Sequence, residues 1–212
     1  NDYDYDIFCL WSAVKNNPKE LAELVRGYTP RVEDFYSLKN GFLETVKNIV
    51  ERAFWKIVIH QISFSGLGSK AGGPIGGAGQ KSKYNVGCRW NSSNLIKQIN
   101  KIALLLQGVE IANESFEIFL SRFSGRSDII AYIDPPYYKE GQNLYKNGLT
   151  PEQHIELSNV LRESKYKWVL SYDNCQEIAS LYSFASIQEV HANYSIKNSG
   201  LTGELIITNF EV

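Results

Sequence analysis

The sequence lacks the features that would place it in a membrane or cross-link it. No apolar run approaches the roughly 18 residues that a spanning helix needs, and no signal peptide opens the chain. Its three cysteines, Cys9, Cys88 and Cys175, are odd in number and lack metal-ligand spacing, so we interpret them as reduced thiols of a cytoplasmic protein. Methionine is absent even at position 1, and we expect the natural protein to begin upstream of Asn1.

Acidic residues are missing from one long segment. Residues 52–109 carry eight basic side chains and no aspartate or glutamate, although the net charge of the 212-residue chain is only −1. Segregated positive charge of this size favours a polyanion partner such as DNA over a solvated surface with an accidental gap. The candidate contact residues are the basic and polar side chains in and after its glycine-rich loop: Lys70, Lys81, Lys83, Arg89, Trp90 and Asn91.

That glycine-rich loop is not predicted to be a nucleotide-binding motif. It has seven glycines between Gly66 and Gly79. In "GAGQKS" the glutamine separates the last glycine from Lys81, and a helix rather than a strand precedes the loop. Neither the Walker pattern nor the dinucleotide fingerprint therefore has its required context.

The hydrophobic period changes along the chain. The first hundred residues have mostly the helical period, and helices are predicted at 4–14, 17–25, 41–62 and 91–107. Capping boxes are predicted at Asn17 and Thr150. Short apolar strands then alternate with helices, at 108–113, 128–134 and 167–174, before a closing antiparallel pair that ends with 204–210. Strand–helix alternation indicates an α/β fold with a parallel sheet.

One strand leads into an unusual turn, "AYIDPPYYKE" at residues 131–140. Ligands of open α/β sheets bind beyond the carboxyl ends of the strands, which is where Asp134 is predicted to lie. Proline has no N–H, so Pro135 and Pro136 leave their backbone carbonyls free. A carboxylate and a carbonyl can accept both hydrogens of an exocyclic amine, while Tyr137 stacks on the attached ring. We favour this interpretation over a rigid turn without function.

The stretch "DIIAYIDPPYY" resembles the catalytic motif of the amino-methyltransferases, and the rest of the chain resembles the Dam-type (DNA adenine) N6-adenine methyltransferases. The resemblance implies methyl transfer from S-adenosylmethionine to N6 of a flipped-out adenine in double-stranded DNA. Asp134 and the Pro135 carbonyl would bind the amine, Tyr137 would stack on the base, and Pro136 would be structural. Tyr194 is a further candidate for the base pocket.

The resemblance also implies the cofactor contacts. "NDYDYDIFCLW" is similar to the segment that holds the ribose hydroxyls, through Asp2, and "VEIANESFEIF" is similar to the segment that contacts the adenine, through Ser115 and Phe116. Asp134 is expected beside the cofactor, and no metal is implied. The family's first strand and its glycine-rich cofactor loop are expected upstream of Asn1. We therefore expect a fragment limited to these residues to bind the cofactor weakly and to be inactive.

The predicted organisation is a Rossmann-like methyltransferase domain, residues 1–17 and 106–212, with a helical target-recognition insertion, residues 18–105. Two alternatives remain open. One is an aminomethyltransferase that acts on cytosine N4, RNA or protein glutamine, and the other is a non-catalytic DNA-binding remnant. The resemblance allows a cognate restriction endonuclease as a partner. The resemblance also suggests a prokaryotic or phage origin.

Overall fold

A computed structural model describes residues 1–139, 147–192 and 202–211. The chain divides into two compact units, residues 1–113 and 114–212. No helix in the described ranges is long and apolar enough to cross a bilayer, and the longest have 14 residues. The assignment of residues 1–17 and 106–113 to a catalytic domain stays a prediction.

The first unit is helical. Its helices are α1 (Tyr5–Asn16), α2 (Pro18–Arg26), α3 (Val32–Lys39), α4 (Phe42–Thr45), α5 (Ile49–Ile62) and α6 (Ser92–Leu105). Their apolar faces share one core, in which Phe35, Ile59 and Ile62 are almost completely buried. A buried ion pair fastens α1 to α5, because Arg52 Nε donates to Asp6 Oδ1 at 2.6 Å. Removing either partner would be destabilising, because the remaining charge would stay buried without this ion pair.

Two details of the predicted helices are wrong. The helix predicted over 41–62 is broken, and α5 begins after Asn48, whose side chain accepts from the N–H groups of Val50 and Glu51 at 2.8 and 3.0 Å. Asn17 makes no capping box, since its side chain makes no capping hydrogen bond and its own N–H donates to Ala13 O at 2.8 Å. It ends α1 and begins α2 at the same residue.

The glycine-rich segment is folded into tight turns. Ser63 and Pro74 form an isolated antiparallel bridge, and the Gly68 N–H donates to Ser63 Oγ at 2.9 Å. Gly76 has φ +81°, and a Cβ there would lie 2.3 Å from the carbonyl oxygen of Tyr84. Only glycine fits this position, because a side chain would meet both an unfavourable φ and backbone.

The second unit contains a four-stranded sheet in its described residues. Its elements are α7 (Phe116–Ser121), β1 (Ile130–Ile133), α8 (Pro151–Glu163), β2 (Lys167–Asp173), α9 (Gln176–Leu181), β3 (Ser186–Ala192) and β4 (Thr202–Thr208). The strand order is β1-β2-β4-β3, with β1 parallel to β2 and the other pairs antiparallel. The predicted α/β fold class, the capping box at Thr150 and the closing antiparallel pair are confirmed.

The strand predicted at 108–113 is wrong. This segment has no ladder of backbone bonds among the described residues, and one backbone bond, from Asp2 N–H to Ala112 O at 3.1 Å, joins it to the start of the chain. Its other contacts there use side chains: Lys15 Nζ donates to Val109 O at 2.5 Å, and Asn113 Nδ2 donates to the carbonyls of Asp2 and Tyr3 at 2.8 and 3.0 Å. An apolar pattern makes a strand only where a partner strand is available.

In the second unit, Trp168 and Leu170 of β2 are completely buried in a core that also contains Leu157 and Ile207.

The sheet arrangement decides which strand ends lie together. β1 and β2 are parallel, so their carboxyl ends lie at one edge, and antiparallel β4 begins at that same edge. Asp173, the last residue of β2, pairs directly with Glu204 near the start of β4. Side chains from β1, β2 and β4 therefore lie close together at the point where β1 ends and Asp134 follows.

Candidate active site

Asp134 follows the last residue of β1, as the sequence predicts. Its side chain is exposed, Pro135 is buried, and Pro136 and Tyr137 are half-buried. In the described ranges the carbonyls of Pro135 and Pro136 accept no backbone hydrogen bond. The pair of prolines thus fixes the turn while leaving acceptors unused beside the carboxylate.

A short chain of hydroxyl groups supports the Asp134 carboxylate. Ser171 Oγ on β2 donates to Asp134 Oδ1 at 2.9 Å, and the Tyr132 hydroxyl lies 3.2 Å from Ser171 Oγ. A serine hydroxyl has one proton, so Tyr132 must be the donor in the second bond. The chain therefore runs from Tyr132 to Ser171 to Asp134 and occupies one carboxylate oxygen. Oδ2 has no hydrogen-bond partner among the residues that the structure describes.

The residues after the prolines are bound by two more carboxylates. The Tyr137 hydroxyl donates to Glu204 Oε1 at 2.5 Å. Asp173 accepts from the backbone N–H groups of Tyr138 and Lys139, at 2.8 and 3.2 Å. Asp134, Asp173 and Glu204 thus share one edge of the sheet but have separate partners.

A buried histidine lies under this turn. His154 of α8 is 2% exposed, its Nδ1 lies 2.6 Å from the Tyr172 hydroxyl, and its ring packs on Tyr138 with centroids 5.0 Å apart. Burial lowers the pKa of His154 below its usual 6.5 and raises that of Tyr172. Both groups are therefore neutral near pH 7 and form a rigid support for the turn.

This arrangement suits the binding of an aromatic amine. A carboxylate oxygen and a carbonyl can each accept one N–H of the amine, and a fixed phenol ring offers a flat face to the attached ring. The described residues contain no group of three or more His, Cys, Asp and Glu side chains that could hold a metal ion. The groups that the described turn offers are hydrogen-bond acceptors and an aromatic face.

Comparison with known proteins identifies the family. A family model described as "D12 class N6 adenine-specific DNA methyltransferase" matches residues 1–196, which is most of the chain. The chain belongs to this family. No curated protein matches the sequence closely enough to count as a relative. Adenine methylation of DNA is the activity for which the D12 class is named, and methyltransferases of this kind generally use S-adenosylmethionine.

The residues predicted to contact the D12 cofactor are divided between the units. In the first unit, Asp2 Oδ1 accepts from the Asp4 N–H at 2.8 Å. In the second unit, Ser115 precedes α7 and its side chain makes no capping bond, while the half-buried Phe116 packs against the core. No hydrogen bond joins Ser115 or Phe116 to Asp134 within the described part of this unit.

The basic residues predicted to contact DNA in this D12 protein are exposed. Lys70, Lys81, Lys83 and Arg89 all lie on the surface of the first unit. In the ranges described, none of the four pairs with a carboxylate. Lys83 Nζ instead lies 5.8 Å from the ring centroid of Tyr84. These cations are available to a polyanion.

Trp90 and Asn91 have structural roles that the sequence prediction missed. Asn91 caps α6, because its side chain accepts from the Asn94 N–H at 2.9 Å. Trp90 is half-buried and packs edge-on against Tyr28, with centroids 5.0 Å apart. Its Nε1 is buried and finds no hydrogen-bond partner among the described residues. The DNA contact of these two residues stays a prediction.

Other residues of interest were not singled out by the sequence. Ser171, Asp173 and Glu204 contact the Asp134–Lys139 segment, but no local motif marks them. In residues 52–109, which carry no acidic side chain, the side chains of Phe64 and Tyr84 are 63% and 58% exposed. Aromatic residues within a basic segment are a sequence pattern that indicates stacking on nucleic-acid bases. Tyr194 lies outside the described residues.

Proposed function

We propose that this protein transfers the methyl group of S-adenosylmethionine to N6 of an adenine flipped out of double-stranded DNA. The observation that carries this proposal is the Asp134–Tyr137 turn. It puts a carboxylate, an unused carbonyl and an anchored tyrosine at the carboxyl edge of the sheet in a D12-class chain. The base must leave the duplex, because its amine is paired and stacked there.

Asp134 and the Pro135 carbonyl activate the amine. An adenine amine is a poor nucleophile because its lone pair is delocalised into the ring. When Asp134 Oδ2 and the Pro135 oxygen accept its two hydrogens, they favour a pyramidal nitrogen whose lone pair can attack. These bonds strengthen as positive charge develops on nitrogen, so they stabilise the transition state more than the ground state. The nitrogen would gain the methyl group as the sulfonium S–CH3 bond breaks and the thioether leaves with the electron pair, and one amine proton would pass through the Asp134 carboxylate to solvent.

The remaining residues bind and orient. Tyr137 stacks on the flipped base, which contributes roughly 1–3 kcal/mol. S-adenosylmethionine supplies an electrophilic methyl group when it is bound. As the resemblance implies, Asp2 would offer a carboxylate to the ribose diol of the cofactor, and Ser115 with Phe116 would offer a hydroxyl and an apolar face to its adenine. Lys70, Lys81, Lys83 and Arg89 neutralise DNA phosphates.

The Asp134→Ala variant tests the proposal. A hydrogen bond to a charged carboxylate contributes about 3 kcal/mol in a site from which the bound substrate excludes water. We therefore expect more than a hundredfold loss of methylation with little change in DNA affinity. Methyl transfer from radiolabelled S-adenosylmethionine to DNA from a host without adenine methylation measures the rate. Asp128→Ala is the matched control, because Asp128 is exposed on the same segment and pairs only with Arg126 among the described residues. Near-normal turnover in Asp134→Ala would contradict the mechanism.

A further inference from the structure

The segment that carries Tyr137 is held by carboxylates from two neighbouring strands. We propose that Glu204 of β4 and Asp173 of β2 are positioning residues that fix the Tyr137 ring for stacking on the target base. This inference rests on the proposed function, in which Tyr137 is the stacking residue. It assigns roles to two acids that lie outside the Asp134–Tyr137 motif.

Glu204 anchors the far end of the ring. The Tyr137 hydroxyl donates to Glu204 Oε1 at 2.5 Å, and hydrogen bonds to a carboxylate are shorter and stronger than neutral ones. The ring is half-buried, so burial alone does not set its orientation. Because a tyrosine ring turns about two side-chain bonds, one strong bond at its hydroxyl selects a single orientation.

Asp173 anchors the backbone on the other side of the ring. Its two oxygens accept from the N–H groups of Tyr138 and Lys139, the two residues that directly follow Tyr137. On the preceding side, Pro135 and Pro136 restrict the chain through their rings. The backbone at Tyr137 is therefore fixed from both directions, and Glu204 fixes the side chain.

The pairing of these two acids argues against a purely structural role. Asp173 and Glu204 are direct cross-strand partners of β2 and β4, and like charges in that position destabilise a sheet. Neutral side chains would serve strand pairing better. Each acid instead accepts hydrogen bonds from the turn, which is a use that a neutral apolar residue cannot fulfil.

The effect of this anchoring should fall on the methyl-transfer step. A preorganised ring meets the flipped base without reorienting, whereas a loose ring must be ordered during each turnover. Affinity for duplex DNA depends mainly on phosphate contacts, which the proposed function assigns to Lys70, Lys81, Lys83 and Arg89 rather than to the turn. We therefore expect kcat to fall while the KM for DNA stays nearly constant.

A double-mutant cycle on the full-length protein tests the proposal. Glu204→Ala and Tyr137→Phe each remove one partner of the same bond, so each should lower the methyl-transfer rate about tenfold. Together they should also lower it about tenfold, because the second change removes nothing further. Glu204→Gln keeps a neutral acceptor and should lose only part of the rate that Glu204→Ala loses. Glu189→Ala, on the adjacent strand, is the matched control.

Three results would overturn the proposal: a wild-type rate in Glu204→Ala, a wild-type rate in Tyr137→Phe, or a loss near a hundredfold in the double variant. If Glu204→Ala unfolds, the comparison of Tyr137→Phe with Tyr137→Phe/Glu204→Gln decides in its place, and a further tenfold loss in the double variant refutes the coupling. Asp134→Ala separates this proposal from the one on which it rests. An inactive Asp134→Ala beside a wild-type Glu204→Ala removes the positioning role alone, whereas an active Asp134→Ala removes the proposed function.

Discussion

Replacing Ser171 by alanine should show whether the orientation of the Asp134 carboxylate matters to the rate. Ser171 Oγ donates to Asp134 Oδ1 at 2.9 Å, and its own acceptor site is occupied by Tyr132. Ser171 is only 5% exposed, so alanine leaves its methyl group packed in place and removes the hydroxyl alone. The perturbation is therefore small in volume and specific in chemistry.

The expected loss of methyl-transfer rate in Ser171→Ala follows from the two groups that this hydrogen bond joins. A hydrogen bond to a charged acceptor contributes about 1.5–3 kcal/mol, and the exposure of Asp134 places this one near the lower limit. A loss of about 1.4 kcal/mol corresponds to a tenfold slower methyl transfer. Tyr132→Phe removes only the outer bond of the chain and should cost less than about threefold, because Ser171 can still donate.

Single-turnover methylation with enzyme in excess over DNA measures this step directly. Ser171→Thr keeps the hydroxyl and should recover most of the rate, which a simple packing defect would not predict. Unfolding midpoints of the variants show whether the fold is preserved. If Ser171→Ala methylates DNA at the wild-type rate while Asp134→Ala is inactive, the carboxylate does not need its supporting hydroxyl and the reasoning is wrong.

Two further predictions concern DNA affinity and pH. Neutralising Lys81, Lys83 and Arg89 together should flatten the salt dependence of DNA binding by about 0.9 in slope for each phosphate that these side chains neutralise, and an unchanged slope would place the DNA elsewhere. The pKa of His154 is lowered below 6.5 in the folded protein, so unfolded chains bind its proton first and the free energy of unfolding should decrease as pH falls below about 6.5. Urea unfolding at pH 7.5 and 5.5 should show a smaller difference in His154→Gln.

Local patterns in the sequence predicted the position of the Asp134–Tyr137 turn at the end of β1. Asp134 and the two prolines are consecutive, and the apolar residues before them already indicate β1. The helix cap at Thr150 is similarly local and is confirmed. Such features could be predicted because each depends on residues within a few positions of one another.

The partners of that turn could not be predicted in the same way. Ser171 lies 37 residues from Asp134 and Glu204 lies 67 residues from Tyr137, and only strand order and register bring them together. A one-residue change of register would turn each of these side chains to the opposite face of the sheet. Local patterns also misjudged Asn17 and Asn48, because an asparagine can cap one helix, end another, or do both.

The position of β4 between β2 and β3 has a consequence for how the Asp134–Tyr137 turn is completed during synthesis. β4 is made after β1, α8 and β2, yet it supplies the carboxylate that binds the Tyr137 hydroxyl. Contacts between residues so far apart in sequence form slowly, since a long loop must close before they are made. A nascent chain in which the Asp134–Tyr137 motif has already been synthesised therefore still lacks the hydrogen bond that orients Tyr137. The Tyr137 ring should thus reach its anchored orientation only after β4 has paired between β2 and β3.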